Sequence, residues 1–207
     1  KPMQSVDDFK GLKYRTVGIS IDMFTAMGAA VNALPGGEIV AAMDRGLLDA
    51  AEFNNASSDR ALGFADVSKI CMLQSYHQNS EQLEISFNKT KFNALPAKMK
   101  AIIENGVEAA SQDMMWKAID RNSQDYITLQ TQDKVRFFKT PDPILKRQLE
   151  LYDEIIKKYV GTNPLFKEII QSQLDFAKRA TRWEQDYITD RRMAFAHYFG
   201  PNAKSPI

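Results

Sequence analysis

Cysteine and histidine are nearly absent from these 207 residues: Cys71 is the one thiol, and His77 and His197 are the two imidazoles. A single thiol allows no intrachain disulfide, which suits a reducing compartment and equally suits periplasmic proteins that need no staple. Neither histidine sits in a metal-ligand spacing or beside a candidate nucleophile, so catalytic triads and histidine-based metal centres find no support. Cys71 lies in the apolar run 67–73 and reads as a packed core thiol. Gly36-Gly37-Glu38 lacks both the Walker lysine and GxGxxG spacing, which argues against a phosphate cradle.

Long apolar runs and blocks of like charge are missing as well. No stretch approaches the roughly 18 apolar residues of a membrane span. The net charge is +1 with no basic stripe, which leaves a nucleic-acid or membrane-surface role without electrostatic footing. The chain opens on Lys1-Pro2-Met3-Gln4 with no charged and apolar leader, as expected of a cytosolic chain or one whose start has been removed. What is present is ordinary globular material, 44% hydrophobic and 26% charged, enough for one large domain or two small ones.

Periodicity predicts an α/β chain. Residues 12–17 alternate as a short strand; a helix capped by Ser20 follows, with Met23, Met27, Ala30 and Leu34 on one face. Pro35-Gly36-Gly37 stops it, residues 38–45 form a second short helix, and residues 47–53 read as a strand. That order is the grammar of parallel pairing. Residues 67–73 and 83–87 are further strand candidates, and residues 97–130 a long amphipathic helix. After a last strand at 135–139, Asp142-Pro143 and Asn163-Pro164 both read as a cap followed by proline at the first helical position. Leu145, Leu149, Tyr152, Ile156 and Tyr159 line one of these helices, and the next is expected to run on towards Tyr198.

Arg15 is the informative residue, because open α/β sheets bind ligands beyond the carboxyl ends of their strands and a guanidinium matches a carboxylate bidentately. On position alone a surface arginine is the favoured reading. Glu52 and Phe53 end the next strand and would face the same crevice. A carboxylate beside an anionic ligand is repelled unless a cation or a proton lies between them, so a shared site would call for a bound metal ion. A solvated glutamate and a core phenylalanine are the plain alternatives.

The order of segments now becomes recognisable. Asp8-Phe9-Lys10-Gly11-Leu12-Lys13-Tyr14-Arg15 resembles the LKGLK-x-R segment of solute-binding proteins from tripartite ATP-independent periplasmic (TRAP) transporters. Leu34-Pro35-Gly36-Gly37-Glu38-Ile39 and the stretch 42–53 look like that family's next signature, and Phe87-Asn88-Lys89, Leu95-Pro96, Val135-Arg136-Phe137-Phe138 and Asn163-Pro164-Leu165-Phe166-Lys167 follow in its order. The proline-glycine-glycine form and the Glu-aromatic pair look most like the branch that binds 2-oxo acids and related monocarboxylates.

The resemblance implies a type II periplasmic-binding-protein-like α/β fold, not an enzyme, in which two lobes close over a small organic carboxylate and deliver it to TRAP permease subunits. It assigns ligand contacts to Arg15, Phe53, Asn54 and Gln78. Glu52, the Phe53 carbonyl and Gln78 would hold a Na+ or Ca2+ ion bridging the ligand carboxylate, with no organic cofactor. Tryptophan is commoner at the place of Phe53, a carboxylate at that of Gln78, and small apolar and glycine residues at those of Asn54 and Asn55, so ligand and cation preference should differ here. By the same resemblance residues 1–75 and 131–207 form the second lobe, while 76–130, a hinge strand and a long helix, return to a first lobe that relatives carry upstream together with an export signal. A periplasmic fragment with uncovered apolar surface between about 83 and 110 is expected, together with a homodimer through a C-terminal helix. A sensory module using the same pocket is the alternative. A metal-dependent enzyme with Glu52 and His77 as base and acid lacks a nucleophile and a metal triad.

Overall fold

The computed structural model describes residues 1–78, 80 and 82–201. Two compact units divide it, residues 1–155 and 156–207. The first begins with a 3-10 turn at Val6–Phe9 and strand β1 (Lys13–Arg15), followed by helix α1 (Ser20–Ala26) and strand β2 (Ala30–Asn32). A 3-10 turn at Gly36–Glu38 leads into α2 (Ile39–Asp44), and β3 (Ala50–Ala51) completes a parallel sheet in the order β2-β1-β3. Two short helices, α3 (Ala56–Leu62) and α4 (Phe64–Val67), lead to β4 (Ile70–Leu73). After α5 (Lys89–Asn93), α6 (Ala97–Thr131) runs for 35 residues, about 52 Å at 1.5 Å per residue. β5 (Arg136–Lys139) then pairs with β4 in parallel, and α7 (Asp142–Thr162) begins. The expected α/β grammar is present, and every strand pair among the described residues is parallel.

Several local expectations change. The helix after Gly18 stops at Ala26, and Ala30 and Leu34 do not extend its face. Gly28 adopts φ +95°, and the chain turns into β2 beside β1 instead. Ser20 is the first residue of α1 and caps nothing; its hydroxyl donates to the carbonyl of His77 at 3.2 Å. The strand expected over 47–53 shrinks to Ala50–Ala51, and residues 83–87 form no strand but an exposed, irregular segment. α6 is not amphipathic: Met114, Met115 and Trp116 are consecutive and all exposed, so its apolar residues occupy several faces, and Leu129 is its buried one. α7 buries Ile144, Gln148, Leu151 and Ile155 rather than the Leu145–Leu149–Tyr152 stripe. Both stripes have helical spacing, and the buried one contains a glutamine whose amide oxygen accepts from Ser75 and Tyr76.

The core of this unit lies under the sheets. Phe9, Tyr14 and Phe24 form an aromatic group, with Tyr14 and Phe24 ring centroids 4.5 Å apart. Ile39, Ala42 and Leu48 gather Leu34, Ala51, Phe53 and Phe64 around them, and Ala65, Leu129 and Val135 gather Cys71 and Phe137. Fully burying each large apolar side chain contributes about 1.5–3 kcal/mol, which compensates for the shortness of the strands. α3 is fixed at its start by two amides: Asn55 Oδ1 accepts from Ser58 N at 3.0 Å, and Asn122 Oδ1 of α6 accepts from Ser57 N at 3.1 Å. Arg60 then reaches Asp125 at 3.0 Å, tying α3 to the C-terminal half of α6.

In the second unit Asn163 caps α8 (Pro164–Tyr187), accepting from Phe166 N at 3.1 Å with proline at the first position, as the sequence pattern predicts. The helix does not continue to Tyr198. Residues 188–190 interrupt it, and Asp190 caps α9 (Arg191–Phe199). Leu165, Leu174, Phe176, Trp183, Met193, Phe195 and Phe199 of this unit are exposed.

Candidate functional site

Parallel pairing sets Arg15 opposite Ala51, one residue from Glu52, and Glu52 N donates to the Arg15 carbonyl at 3.2 Å. Both side chains therefore leave the carboxyl ends of neighbouring strands. They meet: Arg15 Nη1 lies 2.8 Å from Glu52 Oε1 and also donates to the Glu52 carbonyl at 3.0 Å. Arg15 Nε donates to the Leu34 carbonyl at 2.8 Å. Arg15 is 5% exposed, so it is neither the surface arginine of the plain reading nor a free bidentate fork. Its Nη2 is the nitrogen without a hydrogen-bond partner among the described residues.

This pairing gives Glu52 a counter-charge from the protein itself. The guanidinium neutralises it directly, and in a partly desolvated place such charge-assisted bonds are strong. Phe53 stacks with Phe64 and holds its ring 5.9 Å from the Arg15 guanidinium carbon. A Cβ on Gly36 would stand 2.5 Å from Phe53 Cε2, which accounts for a glycine at that position of the Pro-Gly-Gly turn.

A cavity of about 600 Å³ opens beside the pair. Glu52, Phe53, Asn54 and Gln78 line it, as do Asp59, Cys71, Ser75 and His77; Arg15 is not among its lining residues. Glu52 Oε2 faces His77 Nε2 at 3.9 Å. The imidazole packs edge-on against Phe24, with centroids 5.1 Å apart, and its Nδ1 lies 2.5 Å from Ser75 Oγ. The sequence argument thus brings together five named residues, Arg15, Glu52, Phe53, Asn54 and Gln78, all but the first on the cavity wall.

Asp59 escaped sequence reasoning because nothing in Asn55-Ala56-Ser57-Ser58-Asp59 distinguishes a site residue from a surface helix. Burial, with the Glu52 charge nearby, raises its carboxyl to about 6. Burial also pushes the Cys71 thiol up to about 11, which makes it a poor nucleophile and agrees with the packed-thiol reading. Polar side chains on the wall include the carboxyls of Asp8, Asp49, Glu52 and Asp59 and the amides of Asn54, Asn55 and Gln78, oxygen donors suited to a hard cation, with the His77 imidazole beside them. Among the described residues no cluster of three or more His, Cys, Asp or Glu side chains forms a metal cage.

The model of the bacterial extracellular solute-binding protein family 7, DctP, matches residues 1–162. The chain belongs to this family. A monocarboxylate 2-oxoacid-binding periplasmic protein from Nostoc sp. is 25% identical over 89% of the chain and 50% of its own length. Among solved structures, a TRAP periplasmic solute-binding protein from Colwellia psychrerythraea with bound calcium and pyruvate superposes with a TM-score of 0.85. It is 25% identical over 94% of the chain and 58% of that protein. One from Pseudoalteromonas atlantica with bound sodium and pyruvate shares the fold with a TM-score of 0.85 at 22% identity, covering 96% of the chain and 59% of that protein. The chain therefore spans between half and three-fifths of these relatives. The fold is the expected type II periplasmic-binding-protein-like α/β class, and family 7 proteins bind solutes rather than transform them.

One test of the cavity wall concerns Asp59. Its raised folded-state pKa means that the native chain binds more protons than the unfolded chain between the ordinary 3.8 and about 6. Stability from this group therefore falls as pH rises through that window. Asp59→Asn is expected to stabilise the chain on the order of 2 kcal/mol at pH 7 and to make no difference near pH 4. Chemical denaturation of both chains at the two pH values checks this; a constant difference would mean the carboxyl is not desolvated.

Proposed function

We propose that this chain is the ligand-binding lobe of a periplasmic solute-binding protein that captures a small organic acid, a 2-oxo acid or similar monocarboxylate, for the membrane permease subunits of a TRAP-type transporter. The observation that carries the reading is the buried Arg15–Glu52 pair, whose Glu52 Oε2 is turned to a walled cavity and whose Arg15 Nη2 carries no hydrogen bond among the described residues. A ligand carboxylate would meet the two N–H groups of Nη2. Glu52 Oε2, the Phe53 carbonyl and the Gln78 amide would hold a Na+ or Ca2+ ion against it, and Phe53 and Asn54 would wall the rest. When bound, the cation supplies charge that lets two carboxylates share one site.

The relatives' names support this choice of solute, and the family assignment supports a role in capture without catalysis. The lobe division, 1–75 with 131–207 against 76–130, belongs to the same proposal. It is supported by the exposed Leu83, Ile85, Phe87, Met99 and Ile102, apolar residues that a further lobe would cover. The exposed apolar residues of α8 and α9 likewise suit a homodimer through the C-terminal helices.

Titration calorimetry with pyruvate decides the reading. Heat of binding is expected in the presence of sodium or calcium and is expected to disappear when the protein is stripped of both. Pyruvate binding that ignores the cation removes the bridge from the account, and no binding of pyruvate or other small monocarboxylates removes the solute class.

A further inference from the structure

Gln148 is 2% exposed, deep for an uncharged amide with four hydrogen-bonding positions. It sits on α7, 70 residues downstream of the turn that carries Gln78. Its Oε1 accepts from the backbone N of Tyr76 at 2.9 Å and from Ser75 Oγ at 3.0 Å. An N–H can only donate, so the Tyr76 contact fixes which end of the amide is oxygen. The Ser75 hydroxyl has a single proton and gives it to that oxygen. With that proton engaged, Ser75 Oγ accepts from the His77 backbone N at 3.5 Å and from His77 Nδ1 at 2.5 Å, an arrangement in which the ring carries a proton on Nδ1. In the neutral ring Nε2 is left with a bare lone pair, and it faces Glu52 Oε2 at 3.9 Å across the cavity wall.

We infer that Gln148 is a positioning residue for the ligand site, one that acts through Ser75 to fix the His77 ring and the turn bearing Gln78. Three observations converge on the turn. Gln74 opens it with φ +66°, a left-handed conformation that non-glycine residues seldom adopt without support. Gln148 bonds its next two residues, and Ser20 of α1 donates to the His77 carbonyl. A segment without secondary structure is thereby held from two helices, and His77 Nε2 is set 3.9 Å from Glu52 Oε2 on the cavity wall. The inference rests on the capture reading given above and adds to it a residue whose amide oxygen is taken up by Ser75 and Tyr76.

The test uses the full chain, Gln148→Met, which keeps length and volume without the acceptor, Ser75→Ala, which breaks the relay from the surface side, and Gln148→Glu, which keeps the acceptor. With two histidines in the chain, long-range proton–nitrogen NMR spectra read the His77 tautomer directly, and His77→Gln identifies its signals. The wild type and Gln148→Glu are expected to show the Nδ1-protonated ring; Gln148→Met and Ser75→Ala are expected to lose it. Pyruvate affinity with calcium present is expected to fall about tenfold or more in those two, the usual effect of removing an outer-shell partner. An unchanged tautomer in both relay variants overturns the relay. A changed tautomer with wild-type affinity overturns the positioning role. A wild-type chain that gives no heat with pyruvate ends the capture reading and any role of Gln148 in it, while the spectra still decide the relay.

Discussion

Arg15→Ala is expected to lower the unfolding free energy by about 3–5 kcal/mol, because removing one partner of a buried pair leaves the other charge uncompensated. For a chain of this size that is a fall of about 10 °C in thermal midpoint. The loss has named parts: the Glu52 carboxylate loses its ion-pair partner, and the carbonyls of Leu34 and Glu52 lose their donors. Pyruvate binding is expected to vanish with the same substitution, but instability alone would produce that result. The paired variant Arg15→Met with Glu52→Met separates the two effects. Replacing both charges with apolar groups of similar size is expected to return most of the stability, since the pair's desolvation cost disappears with it. Binding is not expected to return. Differential scanning calorimetry and pyruvate titration on the single and paired variants check this; a paired variant as unstable as Arg15→Ala would mean that the backbone contacts, not the charge, hold the strand ends together.

How much of this was legible in the sequence follows from distance along the chain. The parallel layer announced itself through alternation and glycine punctuation, and the long helix and the Asn163-Pro164 start through local pattern. β2 did not, because Ala30-Val31-Asn32 continues the spacing of α1; Gly28 carried the signal of a break. Residues 83–87 have strand composition but no neighbouring strand to pair with among the described residues, so propensity had nothing to act on. At the site, Arg15 and Glu52 could be placed at adjacent strand ends, but their direct ion pair could not. Register decides it, and register is a property of three residues in one strand and two in the other. The α7 face was misread for a related reason: a glutamine in a candidate core stripe argues against burial until its partners, 72 and 73 residues away, are known. Polar groups buried in pairs are invisible one at a time.

Glu52→Gln is expected to cost stability, because the buried Arg15 guanidinium loses its counter-charge, and to weaken cation-dependent pyruvate binding about a hundredfold, because carboxylate count sets the affinity of hard-oxygen sites. The amide can still accept from Arg15 Nη1, so the structural bond survives while the negative charge does not. The charges explain which cation should be used. Arg15 and Glu52 cancel and a monocarboxylate adds one negative charge, so each further carboxylate on the wall, Asp59 at neutral pH among them, favours the doubly charged ion. Gln78 is the residue that keeps this sum in place, since it lines the cavity with a neutral amide. Gln78→Glu supplies the missing negative charge and is expected to shift preference from sodium towards calcium by about tenfold, by the same charge count. Titrating each ion into the chelator-treated variants at saturating pyruvate measures both effects. Equal calcium and sodium responses in Gln78→Glu and the wild type would place the cation, if one binds, away from Gln78, and an unchanged response in Glu52→Gln would place it away from the Arg15 pair as well.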